Sequence, residues 1–190
     1  MATYKIDNDP LIGVPTPVTV TATYATGTAG NPPYPLGLCA EGRDYNSSGA
    51  NVGAGVFQFC RGSDVTAAGQ FVHIIGNSAV QLAAANSASK FPVGIACGAL
   101  SATNVYGWVQ VAGLYDSGIP LLASGTSFAA GGNLYINADT DSGAGYVQAA
   151  AAAGNLIYGA CVVASVAAAG TALGSVQLNY PNVIGLSASL

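Results

Sequence analysis

Three copies of one pentapeptide pattern constrain this chain more than any other feature. GVFQF at 55–59, GWVQV at 107–111 and GSVQL at 174–178 all read Gly, any residue, apolar, Gln, apolar. Each follows a second recurring element: YPLGLCA at 34–40, FPVGIAC at 91–97 and LIYGAC at 156–161. Between the glycines of the two elements, Gly37 lies 18 residues before Gly55, Gly94 lies 13 before Gly107, and Gly159 lies 15 before Gly174. The last two copies match further. QFVHI (70–74), AVQLAAA (79–85), FPVGIAC and GWVQV recur in order as NLYIN (133–137), YVQAAAA (146–152), LIYGAC and GSVQL. Val80-Gln81 maps onto Val147-Gln148, and Val109-Gln110 onto Val176-Gln177, both at a separation of 67. Ordered matches at equal spacing predict a repeated structural unit, spanning about 70–113 and 133–181.

The repeated elements read as strands. VTVTATY (18–24), VFQF, QFVHI, WVQV, LYIN and VQL alternate or run apolar over a few residues, with β-branched and aromatic enrichment. Gly, Asn, Ser and Pro clusters separate them, and the Ala-rich joins at 83–89, 149–154 and 164–172 read as loops or single helical turns. The expected fold class is all-β, an antiparallel sandwich or barrel of about ten short strands with an internal pseudo-repeat and little helix. A Gly ahead of each Gln-bearing strand fits a turn or a close backbone approach. Side chains alternate along a strand, so each Gln is expected on the solvent or inter-subunit face. Residues 1–17, with three Pro in IDNDPLIGVPTP, read as an extended N-terminal arm, and 18–190 as one β-rich domain. NPPYP (31–35) and EGRDYNSSGANVGAG (41–55) read as long loops.

Composition narrows the function classes. Charged residues make up 6% of the chain, against roughly 25% in ordinary soluble proteins. Two Lys and two Arg form no basic stripe, which argues against nucleic acid as a partner. No apolar run approaches the ~18 residues of a membrane-spanning helix, and the start MATYKIDNDPLIG lacks the pattern of a secretory signal. Synthesis in a cytosol is therefore expected, with Cys39, Cys60, Cys97 and Cys161 as free thiols. Few charges and many Ala, Gly and Val suit a part of a large assembly.

No constellation for catalysis, cofactor or metal emerges. His73, the only histidine, sits in a strand pattern with no GxSxG elbow near it, and reads as structural. Asp139 with Asp141, and Glu41 with Asp44, are two acid pairs close in sequence, and both fall in loop-like stretches. Asn137, Asp139 and Asp141 mimic the start of a calcium loop, but Gln148 stands where the bidentate carboxylate belongs and Ser142 where the Gly belongs, so an Asx-rich turn is expected. The Gly-rich stretches lack the Lys of a phosphate-binding loop. Trp108, flanked by Tyr106 and Tyr115, has two readings: a filler of core or subunit contact, or an aromatic platform for a ligand. The matching positions carry Val56 and Ser175, which favours the first.

The succession FVHI…AVQLAAANSASKFPVGIACGAL…YGWVQVAG, then NLYIN…YVQAAAAAGNLIYGACVV…GSVQLNYP, over about 70–181, resembles the capsid decoration (cement, head-stabilising) proteins of tailed bacteriophages. The first 69 residues match less well. The resemblance implies a β-rich, non-enzymatic virion protein made in the bacterial cytoplasm, bound to the capsid exterior as a dimer or trimer. Its partner is then the major capsid protein, with no nucleic acid, membrane or cofactor involved. On that reading the arm residues Tyr4, Ile6, Leu11 and Ile12, with Tyr106 and Trp108, are the candidate contacts, and the arm suits strand addition to the lattice. The alternative is a tail-fibre or spike module binding a host receptor or glycan.

Overall fold

The computed structural model describes residues 3–6, 18–20, 23–25, 32–45, 51–83, 91–116, 127–136, 145–149, 155–167 and 174–185. Its thirteen strands are β1 (Thr3–Ile6), β2 (Val18–Val20), β3 (Thr23–Ala25), β4 (Cys39–Tyr45), β5 (Asn51–Arg61), β6 (Phe71–Ile75), β7 (Ser78–Gln81), β8 (Val93–Ala96), β9 (Val105–Tyr115), β10 (Asn133–Ile136), β11 (Val147–Gln148), β12 (Asn155–Val162) and β13 (Val176–Gly185). No helix occurs among the described residues, so the fold is all-β as the patterning indicates. The strands form one sheet in the order β11-β10-β12-β13-β9-β8-β6-β7-β5-β4-β1-β2, with β3 beside β9.

That order contains the same unit three times. In each, the first strand pairs antiparallel with the second and with the third, and the third pairs with the fourth. The quartets are β1, β2, β4, β5, then β6, β7, β8, β9, then β10, β11, β12, β13. Register repeats as well as connectivity. Val72↔Gln81 and His73↔Val80 in the second unit return as Tyr135↔Gln148 and Ile136↔Val147 in the third. The bridge Val65↔Leu100 returns as Phe128↔Val166, which extends the duplication upstream of residues 70 and 133. In all three units the Gln of the fourth strand faces the third strand, as Cys39↔Gln58, Ile95↔Gln110 and Cys161↔Gln177. The first unit shares connectivity without close sequence similarity, because backbone pairing constrains alternation rather than residue identity. Within residues 1–17, Thr3–Ile6 is a strand held between β2 and β4, while Leu11 and Ile12 lie outside the described residues.

The second unit closes on the first. β5 pairs antiparallel with β9 from Gly55↔Gly113 to Arg61↔Tyr106, and parallel with β7 at Arg61↔Ser78. The ring β5-β9-β8-β6-β7 is therefore a five-stranded barrel, filled by Cys60, Val72, Ile74, Ala79, Ala96, Val109 and Val111. A two-residue turn links β6 to β7, and Gly76 (φ 54) and Asn77 (φ 65) supply the two left-handed conformations whose twist matches the strands. Outward residues of β6 and β8 (Phe71, Val93, Ile95) form a second core with Leu134, Ile136, Ile157, Val162, Val176 and Leu178 of the third unit. A third core joins Phe57, Phe59, Tyr106 and Trp108, with Tyr34, Leu36 and Leu38 packed against it.

Three local expectations change. The stretch 41–55 is mostly strand, with β4 and β5 paired from Cys39↔Gln58 to Tyr45↔Asn51, rather than a long loop. Its glycines and charges mask the alternation, yet Gly is required here. Gly113 has φ 97, and a Cβ on it would stand 2.1 Å from the Ala54 carbonyl oxygen across the pair. Gly55 and Gly107 lie inside β5 and β9 instead of preceding them. The Gln residues do not share a solvent face: Gln177 is exposed and Gln58 half-buried, whereas Gln110 is fully buried. Gln110 donates from Nε2 to the carbonyls of Ala112 (3.2 Å) and Leu114 (3.0 Å), inside β9 where that strand passes from β8 to β13. Both faces of β9 are covered at this point, so the buried amide donates to its own backbone while its Oε1 has no partner.

Candidate functional site

The aromatic residues singled out in the sequence are core residues within the chain. Trp108 is 1% exposed, and its ring lies 5.1 Å from Phe59 and 5.5 Å from Tyr34. Tyr106 stacks on Phe59 with centroids 6.4 Å apart. β5 and β9 bring these rings together through Phe59↔Trp108, and the segment 34–38 covers them. The indole Nε1 has no hydrogen-bond partner. Such an arrangement provides packing and offers no open platform. Tyr4 and Ile6 lie on β1, where their backbone pairs with Val20, Val18, Asp44 and Gly42.

The groups considered for chemistry do not converge. His73 is fully buried on β6 between Val80 and Val93, and burial pushes its imidazole down to about 4. By alternation it shares the Phe71 side of the strand, and neither ring nitrogen has a partner. Its counterpart in the third unit is Ile136, an ordinary core position. Glu41 and Asp44 fall within β4. Asp139 and Asp141 lie outside the described residues, and Gln148, at the end of that stretch, is a buried strand residue. Among the described residues, no three His, Cys, Asp or Glu side chains are grouped to hold a metal ion, and no helix is long and apolar enough to cross a membrane. All four cysteines are free. Burial, with a smaller contribution from nearby Cys39, pushes the Cys60 thiol up to about 12, whereas Cys39 itself is exposed.

What sequence reasoning missed is a cleft where the three units meet. It has a volume of about 360 Å³ and is lined by Cys39 and Gln58 of the first unit, Pro92, Val93 and Val111 of the second, and Tyr180, Pro181 and Asn182 of the third. The bridge Pro92↔Asn182 ties two of its walls together. Tyr180 is 61% exposed and has φ 46, a left-handed conformation that costs a non-glycine residue about 1–2 kcal/mol. Next to it stands Pro181, which further restricts the backbone of the residue before it. Opposite, Gly159 (φ 81) leaves room for this detour, because a Cβ there would lie 2.7 Å from the Asn179 carbonyl oxygen. The separation of 67 that relates the second and third units carries Gly113 onto Tyr180. One signal was thus present in the sequence: a Tyr-Pro where the sister copy has Gly.

No protein-family model matches the chain, and no curated protein or solved structure does either.

Proposed function

We propose that the chain is a non-enzymatic structural protein of a tailed-bacteriophage virion, bound to the capsid exterior and joining neighbouring copies of the major capsid protein. The observation that carries this reading is the sheet itself. One continuous sheet ends in β11 on one side and β2 on the other, and among the described residues each of these pairs on one edge only. Both end strands, Val18–Val20 and Val147–Gln148, are uncharged. An unpaired edge is a template for strand addition, which relies on backbone hydrogen bonds rather than charge. Two edges on one body give a protein able to bridge two neighbours, and many weak bridges stabilise a shell by multivalency. A composition with 6% charged residues and the resemblance over 70–181 support the same assignment.

The competing reading, a receptor-binding fibre or spike module, placed its aromatic platform at Trp108, and that ring is buried. Copy number separates the two. Quantitative mass spectrometry of purified particles should find the chain on the order of hundreds of times per particle. A few copies per particle would overturn the capsid assignment in favour of the fibre.

A further inference from the structure

We infer that the cleft at the junction of the three units is a binding site for a neutral carbohydrate, with Tyr180 as the stacking surface and the Gln58 and Asn182 amides as hydrogen-bonding groups. The inference stands independently of any role on a capsid. Its first support is the strain at Tyr180. A bulky side chain is held at φ 46 before a proline, 61% exposed, where the equivalent residue of the second unit is Gly113. Folding gains little from so exposed a ring, yet the chain carries the cost of its backbone; strain of this kind gathers at ligand sites.

The second support is the chemistry of the walls. None of the lining residues is charged, two carry side-chain amides, and the remainder are apolar apart from the Cys39 thiol and the Tyr180 hydroxyl. An aromatic face beside amides suits a ligand with a C–H face and neutral hydroxyls: the ring covers the apolar side, the Asn182 amide can donate and accept at once, and the Gln58 amide, whose Nε2 donates to Asn77 Oδ1 at 3.3 Å, keeps its oxygen and its second N–H. A charged ligand would be desolvated here with no counter-charge. The third support is shape. A volume of about 360 Å³ falls in the range of small-ligand sites, and the walls come from strands of three units locked in one sheet, so the cleft is preformed.

The test uses the purified full-length chain and saturation-transfer NMR with methyl β-glucoside, methyl β-galactoside and N-acetylglucosamine as probes, and N-acetylneuraminic acid as the charged comparison. At least one neutral sugar is expected to receive saturation on one ring face, with millimolar affinity. Tyr180→Asn should weaken that binding by about tenfold or more while leaving the melting temperature unchanged or raised, because Asn tolerates the left-handed conformation. Val163→Ala, at an exposed side chain outside the cleft, should leave binding intact. The inference is overturned if no neutral sugar is saturated, if Tyr180→Asn binds as well as the parent, or if the charged sugar binds equally. It is also overturned if sedimentation shows self-association that Tyr180→Asn abolishes, because the cleft is then a contact between copies of the chain.

Discussion

Among the described residues, His73 carries the clearest pH signature. The folded chain keeps it neutral down to about 4, whereas an unfolded chain takes up the proton near its ordinary value of 6.5. The unfolded state therefore binds more protons between these values, so stability present above pH 6.5 falls as the pH drops toward 4, by about 3 kcal/mol in all. His73→Ile, which installs the residue type of its counterpart Ile136, should remove this component; denaturant melts of both proteins at pH 7 and pH 5 measure it. A parent curve no steeper than that of the variant would show that His73 is not buried neutral. Trp108 gives a second test at this scale. Trp108→Ala should cost about 3–5 kcal/mol for the emptied volume. Trp108→Phe should cost under about 1.5 kcal/mol, since it keeps most of the packing and removes the unpartnered indole N–H. Thiol labelling should modify Cys39 first and leave buried Cys60 and Cys97 protected until the chain unfolds.

At the scale of elements, two equivalent backbone positions have opposite demands. Gly113→Ala places a Cβ against the Ala54 carbonyl at a φ of 97, and should cost at least about 3 kcal/mol by chemical denaturation. Tyr180→Gly at the matching position should be close to neutral, because relief of strain offsets the entropy gained by the unfolded chain. The strands around these positions were legible from their apolar character: QFVHI, GWVQV, LYIN and GSVQL alternate or run apolar, and all lie in or overlap strands. The stretch 41–55 of the β4–β5 pair was not, although VFQF within β5 was, because Gly53, Gly55 and Gly113 answer to close backbone approach, which leaves no hydrophobic period to read there. The face of Gln110 was equally hidden, since which side of a strand meets solvent depends on whether a neighbour covers it. Tyr180 shows the same limit: its exposure and strain arise from a three-against-one irregularity opposite Gly159, set by how β12 and β13 register.

Among the described residues, three copies of one four-stranded unit, with β3 added beside β9, merge into a single sheet with a closed barrel inside it and three contiguous cores. Duplication was visible over its full length in the last two copies because their spacing had hardly changed, whereas the first was marked in the sequence by YPLGLCA and GVFQF alone and showed its other strands through the pairing pattern. Such a merger gives a rigid body, and among the described residues it leaves β2 and β11, the strands at the two ends of the sheet, each paired on one edge only. A shell stapled at these edges should resist internal pressure better than a bare one, in proportion to how many staples are seated. The most direct measurement is the temperature at which particles release their genome, compared between complete particles and particles lacking this chain. Particles lacking the chain are expected to keep normal shape and to release at lower temperature, with the loss restored when purified chain is added back. Equal release temperatures, with the chain shown to be present on complete particles, would contradict this expectation.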